Sequence, residues 1–90
     1  MASKAVTDHS EILVSGKDMF GAAFSERTQL LNLWEDKFSF TLFRPVSENL
    51  LLRVNFHPDD TLREFWIEGL VQDVKSRLDG KQAVELRLIH

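Results

Sequence analysis

The chain has no cysteine, which excludes disulfides and thiolate metal sites and leaves the redox compartment unread. It has no apolar stretch near the roughly 20 residues needed to cross a bilayer, so membrane insertion is not expected. The opening MASKAVTDHS places no apolar run behind a basic start. A secretory signal is therefore not expected, and a cytoplasmic location is. Internal repeats, low-complexity tracts and an acidic tail are also lacking. Its 11 Lys and Arg are interspersed with 14 Asp and Glu, for a net charge of −3. Without clustered cations to grip phosphates, a nucleic-acid partner is not expected.

What remains is a chain of 90 residues, 43% apolar and 28% charged, enough for one soluble domain with a modest core. Residues 1–10 are polar and weakly patterned and read as a flexible N-terminal arm, with a single domain over 11–90. Glu11 to Ser15 alternates about Ile12 and Val14, as a short strand does. Gly16-Lys17-Asp18 and Gly21 mark a reversal. From Phe24 to Leu33 neither alternating set is cleanly apolar before Leu30, which suits a strand that starts exposed and ends buried. Phe38, Phe40 and Leu42 against Ser39 and Thr41 form a clear strand pattern, halted by Pro45. Leu50, Leu52, Val54 and Phe56 give another, and Val84, Leu86 and Leu88 the last. Asp79-Gly80 is a hairpin turn signal.

One segment reads two ways. Leu62, Phe65, Trp66, Leu70, Val74 and Leu78 recur at spacings of three and four, as on a helix face. Thr61 and Glu64 fit a capping box, and Gly80 could stop the helix. Against a helix stand the central Gly69, about 1 kcal/mol worse than Ala there, and the β-formers Phe65, Trp66, Ile67, Val71 and Val74. Local pattern thus leaves open an α+β domain with a helix at about 62–78.

In order and spacing these elements resemble the PilZ family, over most of the chain from Glu11 onward. The resemblance is carried by Gly16 and Asp18, by Phe24-x-Glu26-x-Thr28, by Asn32, by Leu50 to Phe56, and by the hairpin from Trp66-Ile67-Glu68-Gly69-Leu70-Val71 to Val84-Glu85-Leu86-Arg87-Leu88. It implies an all-β fold, a small antiparallel six-stranded β-barrel, and places a strand at Phe65 to Val74. It also implies bacterial signalling by cyclic di-GMP, which the family holds with an Arg-x-x-x-Arg arm and an Asn/Asp-x-Ser-x-x-Gly turn. Met1 to Ser10 has no arginine, only Lys4. The turn position reads Asn32-Leu33-Trp34-Glu35-Asp36-Lys37, with Trp34 for the Ser and Lys37 for the Gly, and with two added carboxylates facing a dianionic ligand. The expectation is a non-catalytic regulatory module with a degenerate site, lacking a cofactor and working through a protein partner or a homodimer. A cyclic di-GMP receptor using Arg27, Arg44 and Lys37 as unusual donors is the alternative. A small α+β enzyme or ligand-binding domain is the third reading.

Few other residues suggest chemistry. His9, His57 and His90 lack ligand spacing, and His57 before Pro58-Asp59-Asp60 reads as a polar turn rather than a metal site. Glu64 and Glu68 would pair for acid–base work only on a helix. Ser15-Gly16-Lys17-Asp18 lacks the glycine and Ser/Thr spacing of a phosphate loop. Trp66 and the set Phe38, Phe40, Phe43 and Phe56 are read as core. Trp34, in a turn among charges, is a candidate interface anchor, with loops near it and near His57 as contact points. In many PilZ-like domains a helix after the last strand covers one barrel mouth. Here Ile89 or Leu78 would be left uncovered, which favours dimerisation.

Overall fold

The computed structural model describes residues 11–59 and 65–89, and the N-terminal arm, the Thr61–Glu64 capping box, His9 and His90 lie outside them. Six strands follow in chain order: β1 (Glu11–Lys17), β2 (Ala23–Leu33), β3 (Lys37–Leu42), β4 (Leu51–Asn55), β5 (Trp66–Ser76) and β6 (Gln82–Leu88). They close into a barrel in the order β1-β2-β3-β6-β5-β4, every neighbouring pair antiparallel. The all-β expectation holds, and the helix at 62–78 does not: Trp66–Ser76 is a strand along its whole length.

Alternation fills the lumen. Ile12 and Val14, Phe38, Phe40 and Leu42, Leu52 and Val54, and Val84 and Leu86 are each almost fully buried, because residues two apart on a strand share a face. Phe38 packs against Phe40 and, edge-on, against Phe56 at 5.2 Å between ring centres. Val46, in the loop after β3, adds to this core from one end of the barrel.

A bulge interrupts β5. Val71 stands opposite Leu86 and Asp73 opposite Glu85, leaving Gln72 as an extra residue. The inward set therefore changes phase, from Gly69 and Val71 to Val74, and a one-residue slip within a two-residue period yields spacings of three. Leu70 and Leu78, which completed the apparent helix face, are exposed. Gly69 lies tight against β6: a Cβ there would lie 2.6 Å from the Arg87 carbonyl oxygen and 2.8 Å from Leu86 Cγ. Gly16 is part of β1 rather than of the reversal, and a Cβ there would meet Leu52 Cδ2 at 2.8 Å.

The reversal is built by Asp18, whose buried carboxylate accepts the Phe20 and Ala22 backbone N–H groups and an Arg44 N–H. These partners, that of Ala22 foremost, hold its carboxyl below the ordinary carboxylate range against the opposing effect of burial. Two readings are corrected. β2 starts buried at Phe24 and ends exposed at Leu33, because its last residues run into the projecting β2–β3 hairpin. Phe43 is exposed rather than core, being one position past the inward Leu42.

Candidate interaction surface

The β2–β3 hairpin gathers three of the residues singled out in the sequence. Trp34 N–H donates to the Lys37 carbonyl at 2.8 Å, closing the turn, and Leu88 N–H donates to the Asp36 carbonyl at 2.9 Å, tying the turn to the end of β6. A bulge at Leu31 sets Asn32 opposite Ser39, on the outer wall. Lys37 Nζ lies 5.1 Å from the centre of the Trp34 ring and 3.5 Å from a Glu85 carboxylate oxygen. Beside them runs a groove of about 210 Å³, whose walls include Leu31, Asn32 and Trp34 on one side and Asp73 and Lys75 on the other. Trp34 is 44% exposed and Leu33 63%, an apolar tip that water covers poorly.

Arg27 lies apart from that hairpin. It projects from the middle of β2 and donates to Glu11 and to Asp59, each at 3.0 Å. The Asp59 carboxylate foremost raises its already high pKa. Arg44 holds Asp18 at 3.0 Å. The three cations offered as unusual phosphate donors are thus each matched to a carboxylate. His57 is exposed on the loop after β4, and its backbone N–H donates to Asn55 Oδ1. Among the described residues no group of three His, Asp or Glu could hold a metal ion. Trp66 is half-buried on the outer wall with the Arg53 guanidinium 4.9 Å from its ring centre. Ile89 and Leu78 are exposed, as the sequence suggested.

A second, larger groove of about 450 Å³ follows the upper part of β2. Here β2 and β3 share no ladder above the Leu30–Phe40 pair. Side chains close the seam instead. Thr28 and Thr41 hydroxyls meet at 3.0 Å, and the Glu26 carboxylate accepts the Phe43 and Arg44 backbone N–H groups at 2.8 and 3.2 Å. Phe43 and the tip of the β5–β6 hairpin, Arg77 to Lys81, form the far rim, with Lys81 Nζ 4.8 Å from the Phe43 ring centre. Sequence reasoning missed this groove. The available signal was Glu26, a carboxylate on the lumen-facing side of a strand, which needs donors it could not find within its own element.

Comparison of the chain with known protein families, with curated proteins and with solved structures finds no match.

Proposed function

We propose that this barrel is a non-catalytic, PilZ-like regulatory module of a bacterial, cytoplasmic signalling system that works by contacting another protein and no longer grips cyclic di-GMP. The observation that carries the reading is the occupation of its cations. Arg27, Arg44 and Lys37 already hold carboxylates, so a phosphate would have to displace those partners. Glu35 and Asp36 stand exposed at the turn, and their charge repels a dianion further. The exposed Leu33 and Trp34 supply the opposite chemistry. A rigid aromatic with an apolar neighbour buries much area at low entropy cost, which is how interface anchors work.

Calorimetric titration of the full chain with cyclic di-GMP tests the first half, and the expected result is no saturable heat. Binding at micromolar concentration or tighter would restore the receptor reading. Light scattering of the wild type and of Trp34→Ala tests the second half for a self-contact. Association that weakens in the variant supports the anchor. An unchanged association with a lowered melting temperature assigns Trp34 to packing.

A further inference from the structure

We propose that two copies of this chain meet through the outer wall of β4 and β5, about a twofold axis that runs along the strands and sets Arg53 of each copy on Glu68 of the other. This wall is separate from the Trp34 hairpin, and the inference does not rest on the hairpin's role.

The register of the two strands supplies the argument. Leu51 stands opposite Leu70, and Arg53 opposite Glu68. All four side chains belong to the outer wall, because Leu52, Val54 and Gly69, which alternate with them, are buried. Leu51 and Leu70 are 49% and 40% exposed, an adjoining apolar pair on the surface. Over the rows that β4 and β5 share, Arg53 and Glu68 are the only charged residues, so this face carries one charge of each sign. They form no ion pair with each other. The Arg53 guanidinium lies instead 4.9 Å from the centre of the Trp66 ring. Stacking engages the face of a guanidinium and not the N–H groups on its edge, so it holds the cation in place without using its donors.

A contact between two copies must be self-complementary. An axis across the strands at the Arg53 row would set like charges together, Arg53 on Arg53 and Glu68 on Glu68. An axis along the strands, between β4 and β5, lays each β4 over the β5 of the other copy. Arg53 then meets Glu68 twice and Leu51 meets Leu70 twice. One operation satisfies the charged row and the apolar row together, which favours a second copy over an unrelated partner. Curvature sets the strength. Neighbouring strands of a closed six-stranded barrel turn by about 60°, so the flanking β1 and β6, with Lys17 and Arg87, are turned aside from the contact. Two strands a side make a small interface, and the dimer is weak and reversible.

The test is sedimentation equilibrium of the full chain over a range of concentrations, for the wild type, Arg53→Glu, Glu68→Arg and an equimolar mixture of the two variants. Expected is a wild-type monomer–dimer equilibrium that weakens as salt is raised. Each charge reversal alone should weaken association by about tenfold or more, since two exposed ion pairs become two repulsions. The mixture should associate as the wild type does, because a heterodimer regains both pairs, one of them with its signs exchanged. Trp34→Ala should leave the equilibrium unchanged. A wild type that stays monomeric at millimolar concentration would overturn the proposal. So would reversals that associate as the wild type does, or a mixture that associates no better than its separate components. Association lost in Trp34→Ala but kept in both reversals would assign the self-contact to the hairpin instead.

Discussion

The two edges of β3 are built from one six-residue strand and behave as opposites. Toward β6 it forms six consecutive pairs, Lys37–Arg87 through Leu42–Gln82. Toward β2 it forms three, interrupted by the Leu31 bulge, and above Phe40 the ladder gives way to side chains. The phenylalanines that seal the lumen serve both edges equally, so burial does not decide the difference. Geometry does. The bulge bends β2 away from β3, as an inserted residue does, and Glu26, Thr28 and Thr41 then fill a gap that backbone groups no longer reach. A barrel can be closed around its core while one seam in its wall is held by side chains rather than by a ladder.

Substitutions at the two edges should separate core from seam. The largest effect is expected from the lumen that both share. Phe40→Ala should cost about 3–5 kcal/mol, the range for deleting a buried aromatic, measured by urea unfolding, and a loss under 1 kcal/mol would mean that Phe40 is not in the core. Gly69→Ala comes next, where the closed side of the wall has no room. A methyl 2.6 Å from a backbone oxygen forces the strands apart, and about 1–3 kcal/mol of destabilisation is expected. Glu26→Ala on the open seam should cost only about 1 kcal/mol per hydrogen bond lost. Its signature is local: faster amide exchange at Phe43 and Arg44, with Phe38 and Val84 unaffected.

The smallest effect is one of pH, and it belongs to the turns beyond the seams. Folding lowers the carboxyls of Asp18 and Asp79, chiefly through backbone N–H groups of Ala22 and Lys81. Their contribution is complete at neutral pH, above the ordinary value of 3.8, and is lost as pH falls through and below it. Asp18→Asn should therefore flatten the acid limb of the stability curve. An unchanged acid limb would show that the Asp18 turn is not formed in solution.

Much of the barrel was legible in the sequence because regular alternation is a local signal. Phe38 to Leu42, Leu52 to Val54 and Val84 to Leu86 needed only a period of two, and their faces are as expected. The bulged strands were harder. Trp66 and Leu70 lie on the outer wall of β5 and Val74 faces inward beyond the bulge at Gln72, so residues of two different faces fall at helical spacing, and no local propensity reveals an inserted residue. Phe43 illustrates a readable error, since simple alternation from Leu42 turns it outward. The hairpin holding Asn32, Trp34 and Lys37 was legible as a unit because its residues are adjacent in the chain. The ion pairs of Arg27 with Asp59 and of Arg44 with Asp18 join residues 32 and 26 positions apart, and the seam groove draws on β2, β3 and the β5–β6 turn. Contacts of that range exist only once the barrel closes.

Residue-resolved amide hydrogen exchange along β2 tests the central claim most directly. Alternate amides of Ala23–Gln29, those turned from β1, should exchange orders of magnitude faster than their neighbours and than Phe38, Phe40, Val84 and Leu86, because no ladder pair with β3 protects them. Uniform slow exchange through Ala23–Gln29, matching the β3–β6 seam, would contradict the open edge.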